Sequence, residues 1–285
     1  MNTTGILTDS SVQFPTPIFP GRSLVNVVSM DIEFNEVRYP KGEGLKASDM
    51  QTSLGNGAGP KLIAPSVDEF RELFISLGAR YSDVIAILHS ADLSDTFNNA
   101  SEAAEGLQGQ VNIQMVDAHT TAIGLGLVVQ AAAAAAEEGV PAAEIELQIR
   151  KLLPKVYSVF CIEGLTYLAH SGYLGSEQAI IGEHLKMLPI YVLENGKLSA
   201  TQKARNYRHL VDILYEFLYE FENLEHVALL QGVPPFETET RALRARITED
   251  FPDTPISEHT ISATLASIIG PRSLGMFVMQ AEDGE

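Results

Sequence analysis

The sequence predicts an α/β protein of two domains: a mostly parallel sheet with flanking helices, followed by a second α/β domain with a mixed sheet. Three observations support this fold class. Short apolar runs alternate with longer helical runs in the first half of the chain. In the second half, Asn195-Gly196 separates two strand-like runs, which is typical of a β-hairpin. The length of 285 residues is that of about two domains. We expect an N-terminal domain over residues 1–154 and a C-terminal domain over residues 155–285.

In the first half, unbroken apolar runs predict buried strands, and capping residues predict where the intervening helices begin. Strands are expected at residues 5–8, 24–29, 61–64, 83–88 and 111–116, with a hairpin at 31–39. Ser66 and Glu69 form a capping box at the start of one helix, and Ser94 is expected to cap the next. A long helix is expected over residues 121–138, followed by one with Pro141 at its first position.

The second half combines strands with one strongly amphipathic helix. Strands are expected at residues 156–162, 188–193, 197–201, 227–230 and 276–279. The predicted helix over residues 203–222 carries an apolar stripe at helical spacing, formed by Leu210, Ile213, Leu214, Phe217 and Phe221. Such a stripe indicates a face packed on the core.

The charge of the chain excludes two classes of partner. Nineteen Lys plus Arg against 37 Asp plus Glu give a formal net charge of −18. A protein that binds nucleic acid through phosphates needs a basic face, and so does one that docks electrostatically on an anionic membrane. We therefore expect neither partner. Hydrophobic residues make up 45% of the chain, enough to bury a core.

The sequence shows no metal site, no cofactor motif and no membrane segment. Cys161 is the single cysteine, and its apolar flanks predict an inert, buried thiol. The seven histidines lack metal-ligand spacing, and the phosphate-binding and nucleophile-elbow motifs are absent. The segment from Met1 to Gly5 has no features of a signal peptide, and the apolar run at 122–136 is too short to span a membrane. We expect a soluble, cytoplasmic protein without a cofactor.

Polar residues follow three of the predicted strands. Asp9 with Ser10, His89 with Ser90, and Asp117 each come just after an apolar run. Because ligands bind at the carboxyl edge of parallel sheets, these groups indicate a site with carboxylates and an imidazole suited to acid–base chemistry. The alternative is that they only cap the helices that follow.

A series of segments resembles the DegV family, bacterial two-domain proteins that bind fatty acids. The similar segments, in chain order, are Thr8-Asp9-Ser10, residues 62–66, residues 87–100, Val116-Asp117 with Gly124-Leu125-Gly126, residues 168–175, residues 188–190 with 195–197 and 203–205, and Gly270-Pro271. No single motif is decisive, but the series covers nearly the whole chain in the family's order.

The resemblance implies a binding protein rather than an enzyme. It implies a fatty acid in a tunnel between the two domains, with its carboxylate held by hydroxyls and an arginine near the first sheet. It also implies that the acyl group is presented to a partner kinase. On this basis the ligand-contacting residues are expected to be Ser10, Ile63, Ser94, Thr96, Arg205, Ile268 and Arg272.

The chain departs from the family pattern at several of these positions. Ile63 stands where a hydroxyl is expected, Ile268 where a histidine is expected, and Tyr173 where an arginine is expected. The ligand carboxylate is then expected to bind to Ser94 and Arg205, or to contact Arg272. The loss of polar groups equally fits a different lipid or a less polar molecule.

Two further hypotheses remain open from the sequence. One is an enzyme that uses Asp9, His89 and Asp117 at the sheet edge. The other is a module that only binds another protein, for example a kinase, and holds no ligand.

Overall fold

A computed structural model describes residues 3–55 and 57–281 and contains three β-sheets. Met1, Asn2 and Asn56, which fall within the predicted N-terminal segment and a loop, lie outside the described residues. The strands, in chain order, are β1 (Thr4–Asp9), β2 (Val25–Val28), β3 (Asp31–Phe34), β4 (Val37–Tyr39), β5 (Lys61–Ile63), β6 (Asp83–Leu88), β7 (Ile113–Asp117), β8 (Val156–Ile162), β9 (Leu188–Glu194), β10 (Lys197–Ala204), β11 (Leu224–Gln231), β12 (Ile256–Thr260) and β13 (Ser273–Gln280). The helices are α1 (Val67–Gly78), α2 (Thr96–Glu105), α3 (Ala122–Glu137), α4 (Ala142–Leu152), α5 (Leu165–His170), α6 (Ser176–His184), α7 (Tyr207–Glu216), α8 (Glu237–Asp250) and α9 (Ala263–Ile269).

The first sheet is parallel, as predicted, with strand order β2-β1-β6-β7. Its two central strands are apolar on both sides because helices cover both faces. Leu7 and Leu88 pack with α1 and α2, and Ile6 and Ile85 pack with α3 and α4. This arrangement brings the carboxyl ends of the strands to one open edge.

The predicted hairpin at residues 31–39 is confirmed, and it belongs to a small sheet of its own. Strands β3 and β4 are joined by Asn35 and Glu36, both at positive φ, which is typical of a tight hairpin turn. Strand β5 adds to the other edge of β3, antiparallel to it. The sequence predicted this strand but not its pairing, because its partner precedes it by about 30 residues with a long loop between them.

The third sheet is mixed, with order β10-β9-β8-β13-β11-β12. The β11–β12 pair is parallel and the other neighbours are antiparallel. The hairpin at Asn195-Gly196 is confirmed, with φ of 49° and 82° at the two turn residues. The fold class is therefore the one predicted. Strand β12 and helices α5, α6, α8 and α9 were not predicted.

Three predicted helix starts are wrong in position. The amphipathic helix begins at Tyr207, not at residue 203, because Lys203 and Ala204 still pair with β9 and Asn206 caps the helix. Asp95, not Ser94, occupies the cap position of α2. Pro141 precedes α4 at the cap position instead of being its first residue.

The largest apolar cluster includes residues from both halves of the chain. We call it the shared cluster; among its buried members are Ile32, Phe34, Leu45, Met50, Ala122, Ile123, Leu127, Phe160, Ile162, Tyr167, Leu193, Ile268 and Phe277. It joins the small sheet and the start of α3 to one face of the mixed sheet. The opposite face of that sheet packs on α7 and α8 in a separate cluster. The predicted domain boundary at residues 154–155 lies in a short 3-10 turn, Leu153–Lys155, and stays a prediction.

Two absences hold for the residues that the structure describes. None of their helices is both long and apolar enough to cross a membrane. Nor do these residues form a group of three or more His, Cys, Asp or Glu side chains suited to a metal ion. Cys161 is buried, as predicted, and burial raises the pKa of its thiol, which makes it unreactive.

Gly126 allows α3 to lie directly against the loop that follows β1. A Cβ at this position would lie 2.2 Å from the carbonyl oxygen of Gln13, a backbone atom. We expect Gly126→Ala to lower the free energy of unfolding by about 1–3 kcal/mol, the usual cost of overpacking, in urea denaturation. Gly106→Ala is the control, because its Cβ would meet nothing closer than 3.5 Å. An equal, small effect of both substitutions would contradict the close approach.

Candidate functional site

The buried carboxylate of Asp9 ties together the ends of the two central strands of the parallel sheet. Asp9 is fully buried. Its Oδ1 accepts a hydrogen bond from the Ser11 N–H at 2.9 Å, and its Oδ2 accepts one from the His89 N–H at 2.7 Å. Both carboxylate oxygens therefore hold main-chain groups, and the side chain fixes where the loop after β6 begins.

The loop from residue 89 to 95 brings an imidazole to a serine hydroxyl. The fully buried His89 places its Nε2 in hydrogen-bond contact with Ser94 Oγ. Ser94 Oγ also lies 2.8 Å from Thr96 Oγ1 and accepts the Thr96 N–H at 3.2 Å. Although Ser94 is not the cap residue of α2, its hydroxyl still satisfies one of the free N–H groups at the start of that helix.

Ser10 joins the same group through Met30. Ser10 Oγ accepts the Met30 N–H at 3.0 Å, and Thr96 Oγ1 donates to the sulfur of Met30 at 3.2 Å. Ser10, His89, Ser94 and Thr96 thus form one continuous set, which we call the polar row. Three of its members are among the predicted ligand residues. No pattern in the sequence indicated that Met30 would connect them.

Ile63 and Ile268 lie on elements that adjoin the polar row. Ile63 pairs in register with Asp31, the residue after Met30, and is half-buried. The chain after β5 is tied to α2, since Asn99 Nδ2 donates to the Pro65 carbonyl at 2.8 Å. Ile268 is buried in α9, which packs against β5. Ile63 and Ile268 thus lie on neighbouring elements, and the strand of Ile63 pairs with the strand that follows Met30.

Tyr173 connects the C-terminal half to the loop that carries Ser94. Its hydroxyl donates to the Asp92 carbonyl at 2.6 Å, and Ser171 Oγ of the same turn donates to the Ile268 carbonyl at 3.4 Å. Burial, with a smaller effect of the Asp92 charge, raises the pKa of Tyr173 to about 12. Sequence reasoning noted Tyr173 only as a departure from a family pattern and missed this contact.

The two predicted arginines have contacts elsewhere. Arg205 is exposed, and its main-chain N–H donates to His209 Nδ1. Arg272 Nη1 donates to the Pro234 carbonyl at 2.6 Å, its Nε lies 3.5 Å from Glu163 Oε2, and its guanidinium stacks on the Phe236 ring at 3.9 Å. Among the described contacts, neither arginine reaches the polar row.

Asp117 has a structural role like that of Asp9. Its Oδ2 accepts the Ala91 N–H at 3.3 Å, and its Oδ1 accepts the His119 N–H at 2.9 Å. The two carboxylates thus hold the loop after β6 from both sides. In these contacts both aspartates hold loop amides and not the starts of the following helices, so the helix-capping alternative is wrong for Asp9 and Asp117.

A cleft of about 640 Å³ lies away from the polar row, between the β8–β10 edge of the mixed sheet and α7. Its walls include Val156, Val192 and Phe217, and its rim carries Glu194 and Glu216. None of the seven predicted ligand residues lines it.

Comparison with known proteins gives one family. A family model described as an uncharacterised protein of the DegV family matches residues 3–281. A DegV domain-containing protein of Deinococcus radiodurans is 27% identical over 276 residues, covering 95% of this chain and 96% of that protein. Another, from Caldanaerobacter subterraneus, is 27% identical over 218 residues, covering 76% of this chain and 77% of that protein.

Solved structures share the fold over nearly their whole length. A fatty acid-binding DegV family protein of Thermus thermophilus has a TM-score of 0.83 at 24% identity, covering 98% of this chain and 100% of that one. One of Streptococcus agalactiae has a TM-score of 0.85 at 20% identity, covering 99% and 100%. The Streptococcus pneumoniae fatty acid kinase B3 protein, loaded with linoleic acid, has a TM-score of 0.82 at 20% identity, covering 98% and 100%.

The raised pKa of Tyr173 makes stability depend on pH in the alkaline range. The folded state holds the phenolic proton more tightly than the unfolded state, where the pKa is near 10. The contribution of Tyr173 to stability is therefore complete below pH 10 and is lost as the pH rises to about 12. We expect Tyr173→Phe to reduce the fall in the free energy of unfolding across this range, measured by urea denaturation. The control is Tyr39→Phe on β4; equal slopes in the wild type and both variants would contradict the expectation.

Proposed function

The chain belongs to the DegV family, and we propose that it binds a fatty acid or a closely related long-chain acid. The carboxylate lies at the polar row and the hydrocarbon chain enters the shared cluster. The ligand then sits between the two proposed domains, residues 1–154 and 155–285.

One observation carries this proposal: a row of hydroxyl groups adjoins an apolar cluster built from both halves of the chain. Each methylene removed from water contributes about 0.8 kcal/mol, so a chain of about 16 carbons gains on the order of 10 kcal/mol before the costs of ordering it. The polar end needs only a few hydrogen bonds, because its burial without partners is unfavourable.

Fold neighbours support the choice of ligand. The Thermus and Streptococcus agalactiae proteins are described as fatty acid-binding, and a Eubacterium eligens member of the family was crystallised with heptadecanoic acid. These proteins share the order of sheets and helices with this chain at 17–24% identity. We extend their ligand class to this chain because its own polar row and apolar cluster suit it.

Ser94 is the proposed head-group residue, with Ser10 and Thr96 beside it. Ser94 lies between His89 and Thr96 in the hydrogen-bonded series and is only partly buried, which leaves its hydroxyl accessible to a carboxylate. Ile63 and Ile268 contact the first carbons of the chain. Arg205 and Arg272 remain proposed contacts only for a ligand that extends beyond the polar row.

We further propose that the bound acyl group is presented to a partner enzyme, a kinase that forms an acyl phosphate. The support is the similarity to the fatty acid kinase B3 protein. In this role the chain acts as a carrier in the cytoplasm, needs no cofactor and is not itself the catalyst. With a net charge of −18, its surface suits a partner with basic residues.

The first experiment is lipid analysis of the purified protein. Organic extracts of the native protein should contain fatty acids in a ratio of about one per chain, measured by mass spectrometry. The control is the same protein after delipidation and reloading with oleic acid. Recovery of no acid in either case would overturn the proposal and favour a module that binds only protein.

Ser94→Ala tests the head-group assignment. Because a hydrogen bond to a charged group contributes about 1.5–3 kcal/mol, we expect oleic acid to bind about 10–100-fold more weakly, with little change for its methyl ester. The control is Ser199→Ala, an exposed serine of β10. Affinities would be measured by fluorescence titration or calorimetry. Equal losses for acid and ester would show that Ser94 does not hold the carboxylate; tighter binding of the ester by the wild type would favour a less polar ligand.

A further inference from the structure

The polar row contains a buried imidazole that lies between a carboxylate and a hydroxyl. His89 is fully buried, with its Nε2 at Ser94 Oγ and its Nδ1 3.8 Å from Asp9 Oδ1. Its Nδ1 has no hydrogen-bond partner, although it is enclosed by protein. A buried ring nitrogen without a partner is unusual and calls for an explanation.

The hydrogen bonds of Ser94 define which groups can meet a ligand there. A serine hydroxyl donates one hydrogen bond and accepts two. The Thr96 N–H already donates to Ser94 Oγ at 3.2 Å. If His89 Nε2 also carries a proton, it fills the second acceptor position, and the Ser94 hydroxyl proton is left for Thr96 or a ligand. If Nε2 is bare, it takes the Ser94 proton and the hydroxyl cannot donate to a carboxylate.

Several acidic groups lie near His89, and a bound acid would add another. The charged and titratable groups on neighbouring elements are Asp9 at the end of β1, Asp117 at the end of β7 with His119 after it, and Asp92 and Asp95 in the same loop. Among the described contacts of the polar row there is no Lys or Arg. A ligand carboxylate at Ser94 would place a negative charge on the second side of the ring, opposite Asp9, and nearby opposite charges favour the charged form of a histidine.

We propose that His89 is the cation of the acyl-binding site. With a long-chain acid bound, it is an imidazolium whose Nδ1–H faces Asp9 and whose Nε2–H donates to Ser94 Oγ. This hydrogen bond directs the Ser94 hydroxyl proton toward the ligand carboxylate, and the positive charge of the ring balances the negative charge of that carboxylate. His89 is a positioning residue, acting through Ser94, and selects acids over uncharged lipids. This inference rests on the proposed function.

The protonation of His89 can be read directly by nuclear magnetic resonance. In protein labelled with ¹⁵N-histidine and loaded with oleic acid, both ring nitrogens of His89 should carry protons. His226 is the internal reference, because burial lowers the pKa of its ring, which also contacts a serine hydroxyl. A neutral His89 ring in the oleic acid complex would overturn the inference, even if the variant below does not fold.

His89→Gln keeps a donor near Ser94 but removes the charge. We expect oleic acid to bind at least about tenfold more weakly and methyl oleate to bind within about threefold of the wild type. The matched control is His226→Gln, which should change neither affinity. Equal effects of His89→Gln on acid and ester would overturn the inference and leave fatty acid binding intact. Failure of the wild type to bind either probe would instead overturn the proposed function.

Discussion

The two hydrogen bonds of the buried Asp9 carboxylate are the constraint on which the site depends. They hold the main chain after β1 and the first residue after β6, so that both strand ends meet at a fixed place. His89, fixed by its own N–H in this contact, then sets the position of Ser94. Replacing this carboxylate would destabilise the folded protein, because two main-chain N–H groups would lose their hydrogen-bond partner.

The neighbouring shared cluster distinguishes the polar row from hydroxyl groups that only cap a helix. Hydroxyl groups at the edge of a parallel sheet commonly do no more than cap the next helix. Here the same edge adjoins apolar residues of the small sheet, of α9 and of the mixed sheet. The C-terminal half also contacts the loop that carries Ser94, because the Tyr173 hydroxyl donates a hydrogen bond to the Asp92 carbonyl. A ligand with one polar end and a long apolar body fits this juxtaposition better than a small polar substrate does.

The net charge of −18 sets a further condition on an anionic ligand. The surface gives such a ligand no attraction at long range, so its affinity must come from burial and from groups at the site itself. Arg272, the more buried of the two candidate arginines, is engaged with Glu163 and Phe236. Within the polar row itself, the basic side chain is that of His89.

The pattern of residues in the sequence determined the fold class and most strands, because burial on two faces leaves unbroken apolar runs and Asn-Gly is strongly favoured in a two-residue hairpin turn. The start of α7 was missed, since Lys203 and Ala204 suit a helix locally but pair with β9 in the folded chain. For the site, the sequence identified the hydroxyl residues and the apolar replacements at Ile63 and Ile268. Only the tertiary structure decided which of these meet. It joined Ser10 to Thr96 and Ser94 through Met30, placed His89 against Ser94, and left both arginines outside this set of contacts. Such contacts depend on how separate strands and loops pack against each other, and the spacing of residues along the chain does not predict this packing.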